Sequence, residues 1–513
     1  MRMAPPDLEE PPGESPASDR PVSRAAAVMG AATAVSRVLG FGRVLVIAAV
    51  LGTTDLGNTF SASNSVSNVL FDLLAAGALS AVLVPAFVEL LDRGPVGTGE
   101  RQAERLGGVL LGGALVVLVP LSAAGVLAAP ALARLLTAGT ADPAVAADQR
   151  ELATFLLRLF LPQVVLYAYG AVVTAVLHAK RHFTVTAVAP IGNTVVMVAA
   201  LVAFRALRGP GSEPFDLSLA ERLLLGAAGT LGVAAFVGIP AVALWRTGFR
   251  LRPRLDRNHP GPGARGVHAI FARAVRLSGW AGLQHAGTGI LLGAALLVGM
   301  GVTGGVVAYQ VAFACFLVPY AVLSLPLITA VLPELAGEAG SPSVFGQRLR
   351  WALERMTALV VPVSVAGVVF APPVMEVLAF GQTSDEGGRL IGWALAGLAA
   401  GLLPYGAFLL FVRAHYALGE GRAPAVAALG SAVLGAAGMG LAGLWLSGEA
   451  RLAGMGAAHS LSYLVGACWL GSGLSRRTGE RLRPATLARN LVLSGVLGTL
   501  GMVAVAALDL TGR

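Results

Sequence analysis

Two arginines lie inside the first long apolar segment of the chain, at Arg37 and Arg43. Six residues of helix separate them by ~9 Å along the axis and by ~120° around it. A charged side chain inside a membrane helix is costly, and by default it faces a cavity or a partner. Guanidinium groups bind phosphate oxygens bidentately. The pair therefore predicts a cavity for an anionic ligand, with phosphate as the first candidate.

Three further polar side chains complete the predicted substrate-binding set. Asp72 lies in the second apolar segment, and it either pairs with one of the two arginines or takes up protons as a coupling site. Gln284 and Gln310 lie in the seventh and eighth segments. These amides either contact a ligand in the cavity or form hydrogen bonds between helices.

Several classes of enzyme have no motif in the sequence. A phosphate-binding P-loop needs the sequence Gly-Lys-Ser/Thr. The only lysine of the chain is Lys180, and it is followed by Arg181, so the motif does not occur. The zinc motif His-Glu-x-x-His and the nucleophile motif Gly-x-Ser-x-Gly do not occur either. Cys315 and Cys468 both lie in apolar segments, which is typical of packing residues. An enzyme built on paired carboxylates stays open as an alternative, although few carboxylates lie within the apolar segments. We predict no enzymatic activity, no cofactor and no metal site.

The composition indicates what positions these residues. Hydrophobic residues make up 56% of the chain and charged residues only 13%, against about 25% charged in an average soluble domain. Apolar runs of about 18 residues or more are long enough to cross a bilayer as helices. We predict an all-α bundle with about thirteen spans, at 26–51, 58–91, 105–129, 151–178, 184–204, 219–245, 270–299, 303–333, 352–378, 388–416, 424–446, 452–474 and 486–508.

The connections after even-numbered spans are rich in arginine, most strongly from Arg246 to Arg265. Basic loops stay on the cytoplasmic side, so the amino terminus is predicted to be cytoplasmic. This topology also explains the net charge of +9 without a nucleic-acid partner. The proline-rich and acidic residues 1–25 are predicted to form a disordered cytoplasmic tail.

The two halves of the chain show a weak internal repeat. Ser80–Pro85 in span 2 is echoed by Ile328–Pro333 in span 8, and each is followed by an acidic residue. Two pseudo-symmetric six-helix lobes around a central cavity are a common transporter plan. The predicted divisions are an amino-terminal lobe at 26–245, a basic linker with an amphipathic helix at 246–269, a carboxy-terminal lobe at 270–474, and a basic loop with an additional span at 475–513.

Several motifs resemble one family. They are SRVLGFGR at Ser36–Arg43, GALSAVLVP at Gly77–Pro85, LLRLFLP at Leu156–Pro162, AVAPIGN at Ala187–Asn193, LSLP at Leu323–Pro326 and LPEL at Leu332–Leu335. Together they resemble the MviN/MurJ family of lipid II flippases, from about residue 26 to near the end of the chain. The first two motifs are fairly specific as a pair.

The resemblance implies a flippase in the bacterial inner membrane. Its substrate would be the undecaprenyl-pyrophosphate-linked peptidoglycan precursor, lipid II, moved to the outer leaflet by alternating access among the membrane lipids. Arg37 and Arg43 match arginines that the family places in its cavity. This sequence departs from the family at Val44 and Asn58, where acidic residues are common.

Two more departures concern cavity charge. Phe71 and Asp72 replace an arginine pair, and the segment from Tyr309 to Ala312 lacks the family's arginine. The lost arginines and the acidic Asp72 slightly favour an alternative on the same fold, an ion-coupled exporter of small cationic or other lipid-linked compounds, whereas the motifs of spans 1 and 2 favour the flippase more strongly. A scaffold for cell-wall enzymes is a third hypothesis, although the sequence has no recognisable extramembrane domain.

Overall fold

The computed structural model describes residues 19–75, 83–93, 98–208, 213–255, 262–378, 381–482 and 484–511. All regular secondary structure in these ranges is helical. The helices are α1 (Asp19–Leu51), α2 (Asp55–Ala75), α3 (Val84–Arg93), α4 (Thr98–Leu136), α5 (Pro143–Phe160), α6 (Gln163–Ala179), α7 (Phe183–Leu207), α8 (Leu219–Arg246), α9 (Pro262–Gly299), α10 (Gly305–Pro319), α11 (Leu325–Gly337), α12 (Pro342–Val377), α13 (Asp385–Ala399), α14 (Leu402–Ala417), α15 (Arg422–Trp445), α16 (Gly448–Thr478) and α17 (Leu487–Thr511).

The prediction of an all-α membrane bundle is confirmed. Among the described residues, eight helices are long and apolar enough to cross a membrane, and the bent pair α13–α14 would be a ninth. Each predicted span overlaps one or two helices, but the count of thirteen stays a prediction. Helix α9 begins at Pro262 and continues to Gly299, so the helical part of the predicted linker is continuous with span 7.

The helices pack as two bundles. Helices α1–α8 form the N-bundle, in which α7 packs along α8 and α1 along α7. Helices α9–α17 form the C-bundle, in which α9 packs along α15 and α13 along α16. The bundles meet through α1 and α2 on one side and α9 and α10 on the other. The division into lobes at the predicted boundaries remains our proposal.

Small residues allow close helix packing in the C-bundle. A side chain at Gly397 of α13 would lie 2.3 Å from the carbonyl oxygen of Ala453 in α16, and one at Gly456 would lie 2.6 Å from that of Ala394. Lipid tails are as apolar as leucine, so membrane helices associate through such close backbone contacts. This packing fixes the position of α16, which contributes to the cavity described below.

Breaks in the helices shape the space between the bundles. A π-helical segment at Tyr320–Ser324 separates α10 from α11, directly after Pro319. Helices α13 and α14 are bent by 49° at their junction. Proline frees a backbone carbonyl and bends a helix, and π-helical turns are frequent at functional sites. The first of these breaks lies beside the cavity, because Ala321 is one of its lining residues.

Candidate functional site

A cavity of about 440 Å³ lies between the two bundles. Its N-bundle wall is formed by α1 and α2, and its C-bundle wall by α9, α10, the π-helical segment and α16. Transporters commonly bind their substrates at such an interface between repeats. The cavity is therefore the candidate substrate site.

Fixed positive charge lies on the N-bundle wall. Arg37 and Arg43 both line the cavity, and Arg37 is exposed while Arg43 is partly buried. The Nε atom of Arg43 is buried and has no hydrogen-bond partner among the described residues. A buried guanidinium is costly unless an anion pairs with it, and no carboxylate is among the described residues that line the cavity, so this wall favours an anionic ligand.

Helix α2 adds small polar groups to the same wall. Asn64, Ser65 and Asn68 line the cavity, as expected for positions that share one face of a helix. The amide oxygen of Asn68 accepts a hydrogen bond of 3.0 Å from the Tyr167 hydroxyl of α6. The wall thus combines two cations with neutral groups that can donate or accept hydrogen bonds.

The C-bundle wall combines a cluster of aromatic rings with aliphatic side chains. Tyr309 and Phe313 of α10 face His459 and Tyr463 of α16, and all four line the cavity. The Phe313 and His459 rings are stacked, with centroids 5.3 Å apart and planes 12° apart. Gln310 joins the two walls, because its Nε2 donates a hydrogen bond of 3.0 Å to the Ser65 hydroxyl.

The structure brings three of the five predicted site residues together, namely Arg37, Arg43 and Gln310. Gln284 lies elsewhere: its side-chain oxygen accepts a hydrogen bond from the Tyr416 hydroxyl, which joins α9 to α14. Its position thus matches the second reading of the sequence, a hydrogen bond between helices. The side chain of Asp72 lies outside the described residues, so its pairing with an arginine stays a prediction.

Sequence reasoning missed His459. It is an ionisable residue within a predicted span, and the rule that selected Arg37 and Arg43 also applies to it. The small polar residues of α2 were missed as well. Their repeated occurrence between Asn58 and Asn68 was the available signal, because such residues are uncommon on lipid-facing surfaces.

The cavity is closed at one end by a contact between the bundles, which we call the bundle contact. It comprises residues 48–58, Thr140, Gln149, residues 300–306 and residues 381–384. Asn58 is fully buried at its centre. Its Nδ2 donates to the carbonyl oxygen of Val302 at 2.8 Å, and its Oδ1 accepts from the backbone N–H of Val306 at 2.9 Å.

Other groups complete the bundle contact. Asp55 accepts hydrogen bonds from Gln149 Nε2 at 3.3 Å and from the Thr303 hydroxyl at 3.2 Å. The pKa of Asp55 is raised, chiefly because its carboxyl group is buried. The hydrogen bond from the Thr303 hydroxyl lowers this pKa in part, and the negative charge of Asp142 raises it further. Gly304 adopts a φ of 73° against Thr53, where a side chain would come within 2.4 Å of backbone atoms.

The described hydrogen bonds between the bundles are concentrated at this end. They involve Asn58, Asp55, Thr140, the backbone of Ala48 and Ala49, and Gln310 nearer the cavity. All except the Gln310 bond belong to the bundle contact. The bundles are therefore joined at one end of the cavity, as expected for one state of an alternating-access transporter.

A profile of the family described as lipid II flippase MurJ matches residues 47–512. The chain belongs to this family. It is 27% identical over 379 residues to a probable lipid II flippase MurJ of Rhizobium tropici, covering 73% of this chain and 67% of that protein. The resemblance found in the sequence is thus confirmed over most of the chain.

Solved structures show the same fold. An inward closed conformation of the lipid II flippase MurJ superposes with a TM-score of 0.69 at 15% identity, covering 94% of this chain and 99% of that one. An inward-facing multidrug transporter of the MATE family gives a TM-score of 0.63 at 14% identity, covering 86% of this chain and 96% of that one. This chain therefore shares its fold with both of these solved structures.

Proposed function

We propose that this chain is a lipid II flippase that moves the lipid-linked peptidoglycan precursor across the bacterial inner membrane. The observation that carries the proposal is the cavity of this MurJ family member, with Arg37 and Arg43 on one wall. Two guanidinium groups suit a pyrophosphate because each can form paired hydrogen bonds with its oxygens. We place the pyrophosphate between these arginines.

The two walls suit different parts of such a substrate. The polar N-bundle wall would hold the pyrophosphate, while Gln310, Tyr309 and Tyr463 offer hydrogen-bonding groups and aromatic faces to a neighbouring sugar. The prenyl tail, being apolar, would remain in the surrounding lipid.

No acidic residue lines the described cavity, so its charge does not favour an exporter of cations. Binding and translocation need no chemical step, so we propose no enzymatic activity.

The bundle contact defines a direction for transport. With the predicted topology, residues 52–54 and 300–304 lie on the outer side, so we place the bundle contact between the cavity and the exterior. Rocking of the bundles would break this contact and expose the cavity to the outer leaflet. A reporter fused near Asp55 should report the exterior, and one within Arg246–Arg265 should report the cytoplasm. The reverse pattern would contradict this orientation.

The decisive experiment is replacement of the resident flippase in a bacterium depleted of it. Expression of this chain should restore growth and cell shape, and purified protein in vesicles should move labelled lipid II between leaflets. A chain with both Arg37 and Arg43 changed to alanine, at the same abundance, is the matched inactive control. Normal insertion without rescue and without lipid II movement would contradict the proposed function.

A further inference from the structure

His459 is a buried histidine in the wall of the cavity, with both ring nitrogens in contact with tyrosine hydroxyls. Its side chain is 5% exposed. The hydroxyl of Tyr309 lies 2.5 Å from Nδ1, and that of Tyr463 lies 3.0 Å from Nε2. Tyr309 comes from α10, whereas Tyr463 lies one turn after His459 on α16. The ring is therefore held between two helices of the C-bundle.

Tyrosine hydroxyls can satisfy this ring in both of its protonation states. A neutral imidazole has one N–H donor and one nitrogen acceptor, whereas an imidazolium has two donors. A hydroxyl can donate or accept, so rotation of one hydroxyl hydrogen is enough to accommodate the added proton. The stacked Phe313 ring also favours a cation over its face. Both ring nitrogens thus keep a hydrogen-bond partner whether the ring is neutral or protonated.

The charges that face His459 link this proton to the substrate. Across the cavity, α1 presents Arg37 and Arg43, and no carboxylate lines the described walls. On the C-bundle side the facing titratable groups are Tyr309, Tyr463 and, through Tyr463, Tyr405 of α14 with ring centroids 4.7 Å apart. A proton on His459 would give the cavity a third cation. That cation is repelled in the empty cavity and is stabilised when an anion is bound.

We propose that His459 is a proton-binding site that is loaded together with the pyrophosphate of the substrate. The proposal rests on the proposed function, since it needs an anionic ligand in the cavity. Binding of the anion favours protonation of His459, and by reciprocal linkage protonation strengthens binding of the anion. Return of the proton to water would then weaken binding and favour release. The C-bundle wall thus supplies His459, whose positive charge depends on protonation. The N-bundle wall supplies Arg37 and Arg43, which are always charged.

The test measures the affinity of purified full-length protein for lipid II at about pH 5.5 and about pH 8. Lipid II carries a diphosphate diester, whose charge is constant over this range. We expect wild-type protein to bind about fivefold more tightly at the lower pH. His459→Gln should remove this difference and bind at both pH values as wild type does at the higher one.

The matched control is His415→Gln. His415 is also a buried histidine of the C-bundle, but its Nδ1 contacts Glu420 at 3.0 Å and it does not line the cavity. This variant should keep the wild-type pH dependence. Tyr309→Phe removes the partner of Nδ1 while keeping the ring, so it should shift the pH at which affinity changes. That shift would not arise from a role in packing, and it provides a second measurement if His459→Gln fails to fold.

Proton uptake provides an independent readout. Addition of lipid II to weakly buffered wild-type protein should take up protons, and His459→Gln should take up fewer. Wild-type affinity that is independent of pH, or an unchanged pH dependence in His459→Gln, would overturn the proton site while leaving the flippase proposal intact. A wild-type protein that binds no lipid II at either pH would overturn both.

Discussion

The cavity and the bundle contact lie between the same two bundles, but their polar groups are arranged differently. In the cavity, the buried Nε of Arg43 has no partner among the described residues. In the bundle contact, the Asn58 amide is satisfied by two backbone groups of the opposite bundle. A guanidinium nitrogen in the cavity thus lacks a partner among the described residues and is available to a ligand, whereas the amide at the centre of the bundle contact is fully paired.

We therefore expect the two regions to have different roles, with ligand binding in the cavity and control of the conformational equilibrium in the bundle contact. A guanidinium nitrogen without a partner among the described residues can gain a charge-assisted hydrogen bond from a ligand, which favours binding of an anion in the cavity. Neutral hydrogen bonds contribute only about 1 kcal/mol each, so the bundle contact can open and close without a large barrier. We therefore expect changes in the cavity to affect binding strongly, and changes in the contact to affect mainly the populations of the two conformations.

The largest effect is expected from Arg43→Ala. Removing one partner of a buried charged interaction costs about 2–5 kcal/mol, so affinity for lipid II should fall by about 30-fold or more. Arg43→Lys should be intermediate, because the bidentate fork is lost but the charge is kept. Binding and translocation are measured on reconstituted protein. Arg101→Ala, an exposed arginine of α4, is the control, and equal losses in both variants would contradict a specific role for Arg43.

A moderate effect is expected from Asn58→Ala. Loss of two hydrogen bonds between the bundles, each of about 1 kcal/mol, should change the ratio of closed to open contact by about 30-fold. Distances between spin labels on the two bundles would report this shift, with lipid II affinity measured in parallel. Thr59→Val is the control, because the Thr59 hydroxyl bonds only to the Asp55 carbonyl oxygen of its own helix, at 2.7 Å. An unchanged distribution for Asn58→Ala would show that the amide does not hold the contact.

The sequence was sufficient to predict the helical membrane fold and to select the two arginines that line the candidate cavity. Long apolar runs require helices in a membrane because every backbone group must be paired internally. Arg37 and Arg43 were found because charge is rare in such runs. Gln310 was selected as an amide in an apolar run, and it both lines the candidate cavity and bonds to Ser65 of the other bundle.

The remaining contacts depend on how helices are rotated and paired. Gln284 and Gln310 look alike in sequence, since both are amides in apolar segments, but one bonds to Tyr416 and the other lines the cavity. Helices that are apolar on all sides carry little periodic signal about which face is buried. The bond from Asn58 to Val302 joins residues 244 positions apart, and no local pattern predicts such a partner.

The smallest effect concerns Asp55, the one acidic side chain described within the bundle contact. Its pKa is raised in the closed contact, chiefly by burial, whereas separation of the bundles would return it to water and toward its ordinary value. The closed form therefore binds a proton more readily than the open form. Its stability should increase as the pH falls through the raised pKa, and this gain should be lost as the pH rises.

Asp55→Asn should remove that pH dependence while keeping an oxygen that can accept from Thr303 or Gln149. The same spin-label distances, recorded from about pH 4 to about pH 7, would measure the effect, which we expect to be under tenfold in population because Asp55 is only partly buried. Asp142→Asn offers a graded comparison, because the charge of Asp142 contributes to the upward shift without a contact to Thr303. It should reduce the pH dependence in part. A stronger pH dependence in Asp55→Asn than in the wild type would show that another group controls the contact.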